Sequence, residues 1–252
     1  MLSFHKKRHG VDFYTIWFAN EPVKKRGVIS YREYIGEVSD CSRTRFDTYV
    51  SDITKTEEEI KQQFSKNCRY YVNRASRENI SVRMYVGSEI SDMHIEEFLD
   101  FFEEFWESKG SRLSDKDKLR QELRVYRDNE ALGITEAYVE GVKSVYHTHV
   151  LDEEIVRLLH SASLFRLQEE NSNNKNLIGI ANRYLHYEEM KFYKTIGKKI
   201  YDWGGAGLGE DVIHITEFKK SFGGTPVTYY DFEQVNGFAA KLFKFAVKVL
   251  RK

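Results

Sequence analysis

Residues 201–230, YDWGGAGLGEDVIHITEFKKSFGGTPVTYY, hold six of the chain's sixteen glycines and the adjacent lysines Lys219 and Lys220. Glycine lets a backbone approach a ligand closely, and a lysine ammonium reaches anionic groups. Asp202 stands inside a predicted strand, where acids are uncommon, and could orient an amine or accept its proton. Each feature also has a structural interpretation, in which Asp202 caps the glycines that follow it and the glycines form tight turns. The pattern Gly-x-x-x-x-Gly-Lys-Ser/Thr is absent from the sequence, which excludes a P-loop.

Four cations repeat along one face of a helix predicted at residues 54–79: Lys66, Arg69, Arg74 and Arg77. The opposite face of this helix is apolar, so the cations are expected to point outward. Guanidinium groups bind phosphate through paired N–H donors, which makes this face a candidate phosphate contact. The alternative is an ordinary solvated helix face, as most charged stripes are.

Histidine spacing raises the question of a metal site. His147 and His149 alternate on one predicted strand, and His160 lies on the next one. A zinc site needs three or four protein ligands, and no third ligand stands at a suitable spacing. We therefore predict half-buried or surface histidines and no bound metal.

Composition and charge narrow the class of protein. The chain has 252 residues, 41% of them hydrophobic, and a formal net charge of +0, which gives no case for a general polyanion-binding module. The N-terminus is charged and lacks a signal peptide, and no apolar run approaches the length of a membrane span, so we predict a cytoplasmic protein. The two cysteines, Cys41 and Cys68, indicate a reducing compartment, with one long-range disulfide as the alternative. Neither cysteine has the histidine pattern of a catalytic nucleophile.

Hydrophobic periodicity gives the order of the elements that must position these residues. Residues 11–50 read as strands and turns, and the helix at 54–79 follows them. From residue 81 the predicted order is β-α-α-β-β-β-α-β-α-β. The position that best suits a domain boundary lies near residue 80. We therefore predict an N-terminal β-rich region with the basic helix at residues 1–79 and a second domain at residues 80–252.

The last predicted helix, residues 234–250, is amphipathic. Its apolar residues are Phe238, Leu242, Phe245, Ala246 and Val249. We expect this stripe to dock on the sheet, as amphipathic helices usually do. The alternative is a basic helix that lies on an anionic membrane, which would suit a lipid-linked substrate.

The element order predicts an α/β (α+β) fold, a mixed sheet with helices on both faces. It is also the order of the GNAT acyltransferase fold, in which two central parallel strands part and acyl donor and acceptor meet in the gap. Here those strands would be residues 155–163 and 199–203.

Two segments resemble FemAB/FemX-type GNAT-like transferases more specifically. The first is DITKTEEEIKQQFSKNCRYYVNRASRENISVRM, and the second is YLHYEEMKFYKTIGKKIYDWGGAG with ITEFKKSFGGTPVTYY. The sequence QEENSNNKNLIGIAN occupies the place of the loop that holds the coenzyme A pyrophosphate in ordinary GNAT enzymes. Known members carry two such domains, whereas this chain has one complete copy. The resemblance implies an acyl donor other than acyl-CoA, such as aminoacyl-tRNA.

On this resemblance the chain would be a transferase that moves an aminoacyl or other acyl group to an amine of a cell-envelope or sugar-linked precursor. Asp202 and Glu188 are the catalytic candidates, and no cofactor is expected beyond the donor, aminoacyl-tRNA or acyl-CoA. The substrate-binding candidates are Lys66, Arg69, Arg74, Arg77, Lys219, Tyr184 and Phe222. Expected partners are tRNA, a lipid- or nucleotide-linked sugar, a peripheral membrane contact and further copies in an oligomer. The alternatives are an acyl-CoA-dependent N-acyltransferase acting on a nucleotide sugar and a non-catalytic GNAT-like binding subunit.

Overall fold

A computed structural model describes residues 1–36, 42–168, 172–206 and 210–250. It divides into two compact units: one comprises Met1–Thr48, Gly205–Gly207 and Pro226–Lys252, and the other comprises Tyr49–Gly204 and Leu208–Thr225. This division does not coincide with the predicted boundary near residue 80, because the C-terminal strand and helix group with the N-terminal strands. Cys41 lies outside the described residues, and so does the disulfide alternative that involves it.

The helices and strands follow one another in this order: β1 (Leu2–Arg8), β2 (Val11–Trp17), β3 (Gly27–Tyr34), β4 (Arg43–Asp52), α1 (Glu57–Gln63), α2 (Lys66–Ala75), β5 (Ile80–Val86), α3 (Asp92–Glu107), α4 (Lys116–Asp128), β6 (Leu132–Val139), β7 (Val142–Leu151), β8 (Ile155–Ser163), α5 (Ser172–Thr195), β9 (Ile200–Asp202), α6 (Glu210–Lys220), β10 (Thr225–Asn236) and α7 (Phe238–Leu250). Short 3-10 turns occupy Gly87–Glu89 and Leu164–Gln168. The predicted element order from residue 81 onward is confirmed.

The first unit is a small sheet in the order β1-β2-β3-β10. β1 pairs with β2 and β10 pairs with β3 in antiparallel fashion, whereas β2 and β3 are parallel. Stacked and edge-on aromatic rings fill its core, with Tyr31 lying 4.5 Å from Phe232 between ring centroids. This unit combines the N-terminal strands β1, β2 and β3 with β10 and α7, and it does not include the basic helix of the predicted N-terminal region.

The second unit carries the sheet order β4-β9-β8-β7-β6-β5. β8 and β9 are parallel, and the other neighbours are antiparallel. Successive strand residues point to opposite faces of a sheet. On β7, Tyr146 packs against Phe98 of α3 at 5.5 Å between centroids, while His147 bonds Glu189 of α5 at 2.7 Å. Helices therefore cover both faces, and the predicted mixed α/β fold is confirmed.

The prediction of a single helix at residues 54–79 is wrong, because the chain forms two helices there. The capping box of α1 is present as expected, with Thr56 and Glu59 each bonding the other's backbone N–H. The chain leaves the helix at Phe64 (ψ 144°), and the Ser65 side chain caps α2 by accepting from the Cys68 N–H at 3.2 Å. A serine can start a helix as well as continue one, which periodicity alone does not distinguish.

The expectation that the apolar stripe of the last helix docks on the sheet is also wrong. Phe238, Leu242, Phe245 and Val249 are 82%, 56%, 65% and 56% exposed. The residues of α7 that pack inward are others, with Ala240 buried and Phe243 edge-on to Phe13 at 5.4 Å. None of the helices in the described part of the chain combines the length and apolar character needed to cross a membrane.

Candidate active site

The candidate site begins where β8 and β9 part. The two strands pair only through Ile155–Ile200, Val156–Tyr201 and Arg157–Asp202. β9 then ends at Asp202, while β8 continues to Ser163. The pairing between the two strands that the GNAT-like interpretation names therefore stops at Arg157–Asp202.

Three residues build a tight corner at this point, which we call the Gly204 corner: Asp202, Gly204 and Lys219. Asp202 is fully buried, and its Oδ1 accepts from the Gly204 N–H at 2.8 Å. The Gly204 carbonyl accepts a hydrogen bond from Lys219 Nζ, whose residue is only 8% exposed. A Cβ on Gly204 would lie 2.3 Å from the Leu158 carbonyl oxygen, so only glycine fits. Asp202 thus makes the capping contact of its structural interpretation, and Asp202 and Lys219 both bond the backbone of Gly204.

The Phe222-Gly223-Gly224 turn packs in the core. Phe222 is 1% exposed and lies 4.5 Å from the Trp203 ring. A Cβ on Gly223 would come within 2.6 Å of the Gln63 carbonyl oxygen, and Gly223 and Gly224 both have positive φ. These glycines therefore serve close backbone packing, in agreement with the tight-turn interpretation.

A second feature is a groove between α1, α2 and α5, which we call the helical groove. It has a volume of about 470 Å³ and contains three predicted site residues, Arg77, Tyr184 and Glu188. Glu188 accepts from Lys191 Nζ at 3.0 and 3.1 Å, and its side chain is 18% exposed. The groove therefore offers both an acid and cations to a ligand.

Tyr187 organises one wall of the helical groove. Its hydroxyl donates to Glu57 at 2.8 Å, and this bond holds the pKa of Glu57 below its usual value. Burial, followed by the same bond, raises the pKa of Tyr187. The Lys61 and Lys191 ammonium groups lie 4.7 and 5.3 Å from the centre of its ring. Such contacts hold cationic heads at the groove while the ring stays neutral.

Ring contacts connect the helical groove with the Gly204 corner. Phe64 lies between them, 6.1 Å from Tyr187 and 5.2 Å from Phe222, measured between ring centroids. The break between α1 and α2 is tied to the same place, because the Ser65 N–H donates to the Ser221 carbonyl at 2.7 Å. The helix break therefore has a role: it seats both helices against the end of α6.

The basic face of α2 points outward as expected. Lys66 and Arg77 are exposed, and Arg69 is half-buried with one N–H donated to the Gln62 carbonyl at 3.3 Å. Arg74 differs, because its guanidinium bonds Glu78 at 2.7 Å. Lys66 and Arg77 are therefore exposed cations, and Arg69 is a half-buried one.

A buried polar network lies under α5 and contains groups that the sequence analysis missed. Glu189 Oε1 accepts from Thr135 and from His147 Nδ1 at 2.7 Å, while Oε2 accepts from Tyr201 at 2.6 Å and from His186 Nδ1 at 3.0 Å. All five side chains are buried. The prediction of half-buried or surface histidines is therefore wrong for His147 and His149, which are both fully buried. A helical i,i+3 spacing of His186 and Glu189 was the available signal, but nothing in the sequence shows which of the two adjacent glutamates faces inward.

The pKa shifts of Glu189, His186 and His149 indicate which groups of this network carry a charge. Burial by itself would raise the pKa of Glu189, but the neighbouring histidines outweigh burial and hold this pKa well below the usual value. Burial and the nearby His147 lower the pKa of His186 to about 3. Burial also lowers the pKa of His149, whose ring accepts or donates a bond with Tyr193 at 3.0 Å. Glu189 is therefore an ionised carboxylate surrounded by donors.

Within the described residues, His147, His186 and Glu189 form the cluster whose atoms could hold a metal ion, all lying within 4.8 Å of one another. The His147 and His186 rings are stacked, 4.2 Å apart with an angle of 23° between planes. Nearly parallel rings direct their lone pairs side by side, whereas two imidazoles on one ion need converging lone pairs. The donors also already saturate the carboxylate. We therefore interpret the cluster as a hydrogen-bonded network. His160 lies elsewhere, against Phe102 of α3 at 5.1 Å.

The sequence matches no protein-family model and no curated protein. Solved structures do match the fold. FemX aligns with a TM-score of 0.60 at 11% identity, over 85% of this chain and 67% of FemX. A conserved protein of unknown function from Bacteroides thetaiotaomicron aligns at 0.56 and 10% identity, over 92% and 81% of the two chains. L-PGS from Bacillus licheniformis aligns at 0.54 and 11% identity, over 89% and 73%. The chain therefore has the GNAT-like fold of FemX, as the two sequence signatures predicted.

Proposed function

We propose that this chain is a transferase that moves an aminoacyl or other acyl group from an activated donor, aminoacyl-tRNA, to an amine of a cell-envelope or sugar-linked precursor in the cytoplasm. The observation that carries the proposal is the Gly204 corner, which stands where β8 and β9 part. Parallel strands that part in a GNAT-like fold leave a gap in which donor and acceptor can meet. The resemblance of the two sequence segments to FemAB/FemX-type transferases supports a donor of the aminoacyl-tRNA type.

Lys219 is the residue best placed to assist the chemistry. Attack of an amine on an acyl carbonyl places negative charge on the carbonyl oxygen, and a fixed cation or N–H donor lowers that barrier. The Gly204 carbonyl holds the Lys219 ammonium at the corner. Beyond Leu158 the edge of β8 adds backbone groups of the kind that bind extended ligands. Asp202 takes part by orienting the corner through its bond to the Gly204 N–H.

Glu188 is the carboxylate that we propose binds the acceptor amine and accepts its proton. It lines the helical groove with Tyr184, and it is partly exposed, so that an acceptor amine can displace Lys191 from it. A carboxylate bonded to an amine both orients it and can receive its proton. The groove therefore suits an acceptor that presents an amine to Glu188.

The exposed cations of α2 are the proposed contact with donor phosphates. Lys66 and Arg77 are exposed and Arg69 is half-buried, with Arg77 just after the end of α2, whereas Arg74 is engaged with Glu78. Binding through phosphate contacts weakens with salt, with a slope set by the number of phosphates neutralised. The proposal thus predicts salt-sensitive donor binding.

The primary experiment compares donors directly. The purified protein is incubated with isotope-labelled aminoacyl-tRNA or with acyl-CoA thioesters and a panel of amino-sugar acceptors, and products are identified by mass spectrometry. We expect label transfer from aminoacyl-tRNA and no thermal stabilisation by coenzyme A. Transfer from acyl-CoA alone would establish the N-acyltransferase alternative. If every donor binds without transfer, the chain is a binding subunit.

A matched pair of variants tests the basic face. Arg69→Ala with Arg77→Ala should raise the KM for aminoacyl-tRNA at least tenfold and flatten its salt dependence, because phosphate contacts are lost. The control removes two exposed cations elsewhere, Arg112→Ala with Lys118→Ala. Equal KM values and equal salt slopes in the two variants would remove the α2 face from the proposal.

A further inference from the structure

The C-terminal helix α7 presents an uncovered apolar stripe. Phe238, Leu242, Phe245 and Val249 are each more than half exposed. At about 100° per residue these four positions fall within roughly 60° of one another. Solvent-facing stripes of large apolar side chains mark interaction surfaces. We propose that this stripe inserts into the surface of an anionic lipid bilayer.

The opposite face of α7 is already used. Ala240 is 2% exposed, and Phe243 packs on Phe13 and lies 6.3 Å from the His9 ring. Ala240 and Phe243 point about 170° and 130° away from the middle of the exposed stripe. The helix is thus held to the first unit by one side and displays its second apolar side outward. Core packing therefore does not account for the stripe.

Charge indicates an anionic partner. Between Phe238 and Leu250 the helix has three lysines and no acidic residue. Lys241 and Lys248 are exposed on one flank of the stripe, while Lys244 pairs with Glu233 at 2.6 Å. The exposed Arg26 lies beside the start of the helix. Apolar insertion flanked by cations is the pattern of a helix that lies in a lipid headgroup region.

A second protein copy suits the surface less well. The four exposed side chains offer on the order of 500 Å², whereas a stable protein interface buries about 800 Å² on each partner. The row of lysines beside the stripe would also remain unneutralised against an identical helix. A bilayer needs no matching shape and supplies the anionic groups.

Vesicle flotation tests the proposal with the full chain. We expect binding to vesicles that contain phosphatidylglycerol and little binding to pure phosphatidylcholine vesicles. Leu242→Ser with Phe245→Ser should lower the partition coefficient at least tenfold. The control, Met93→Ser with Val142→Ser, removes two equally exposed apolar residues of the second unit, 65% and 66% exposed, and should bind as the parent does.

The cations are tested separately. Lys241→Ala with Lys248→Ala should weaken binding roughly thirtyfold at low salt, since each lysine near an anionic surface contributes about 1 kcal/mol. Light scattering measures the mass of each variant, and circular dichroism confirms folding. Absence of vesicle binding, equal binding to both lipids, or a dimer that Leu242→Ser with Phe245→Ser dissociates would overturn the proposal. The result is independent of acyl transfer, because it uses neither donor nor acceptor.

Discussion

His186 gives the most specific prediction of stability. It is 1% exposed and faces titratable groups from three elements: Glu189 on its own helix α5, His147 and His149 on β7, and Tyr201 on β9. Burial and the neighbouring His147 lower its pKa from 6.5 to about 3. In mild acid His186 is therefore protonated in the unfolded chain and neutral in the folded protein.

The sign and size follow from linkage. Above pH 6.5 neither the folded nor the unfolded state binds a proton at His186, so this residue contributes no pH dependence to the free energy of unfolding. As the pH falls below 6.5 only the unfolded state is protonated, and stability declines until the pH reaches about 3. At pH 5 the loss from His186 is about 2 kcal/mol. Glu189, whose pKa is lowered, stays ionised in this window and loses its contribution only in stronger acid.

Urea unfolding between pH 7.5 and pH 5 measures this loss. Trp203 lies 4.9 Å from His186, so tryptophan emission in a background with both Trp17→Phe and Trp106→Phe reports on this core. Between pH 7.5 and pH 5 the free energy of unfolding of His186→Gln should fall by about 2 kcal/mol less than that of the parent. His214→Gln, at an exposed position, should show the same fall as the parent. Parallel curves for the parent and His186→Gln would refute the assignment of a neutral buried histidine.

Three further changes test the packing. Gly204→Ala should cost about 3 kcal/mol, because the new Cβ would meet the Leu158 carbonyl at 2.3 Å, whereas Gly141→Ala, with open space around it, should cost about 1 kcal/mol; urea titration compares them. Ser65→Ala removes the cap of α2 and should cost about 1 kcal/mol in the same assay, with an unchanged m-value. Glu189→Gln leaves buried donors poorly matched and should cost about 3 kcal/mol, visible as a lower melting temperature; a loss below 0.5 kcal/mol would argue against the network.

The element order was predictable because each helix and strand carries its own periodicity. The three antiparallel strands β6, β7 and β8 and the helix α3 lie where the hydrophobic pattern puts them. The break at Ser65 was not predictable, since it depends on Ser221, far along the chain. The grouping of β10 with β3 is likewise a long-range pairing that no local pattern specifies.

The candidate site was predictable in part. Asp202 and Lys219 stand out by residue type and do meet at Gly204, and Tyr184, Glu188 and Arg77 do share a groove. The inward position of Glu189 could not be read from the sequence, because an inward helix face is recognised by its apolar residues and a buried glutamate departs from that pattern.

The direction of the α7 stripe was unpredictable for a related reason. Both sides of this helix are apolar, and periodicity does not say which side the sheet covers. Ala240 and Phe243 are the residues that pack inward, leaving Leu242 and Phe245 outside.

The most direct test of the proposed transfer is a single-turnover rate for Lys219→Met beside Lys220→Met. The two lysines are adjacent, but Lys219 is buried at Gly204 whereas Lys220 is exposed and paired with Glu217 at 2.9 Å. We predict that Lys219→Met lowers the rate of acyl transfer roughly 100-fold or more with donor binding retained, and that Lys220→Met transfers at the parent rate. Equal rates for the two variants would contradict a chemical role for the corner where β8 and β9 part.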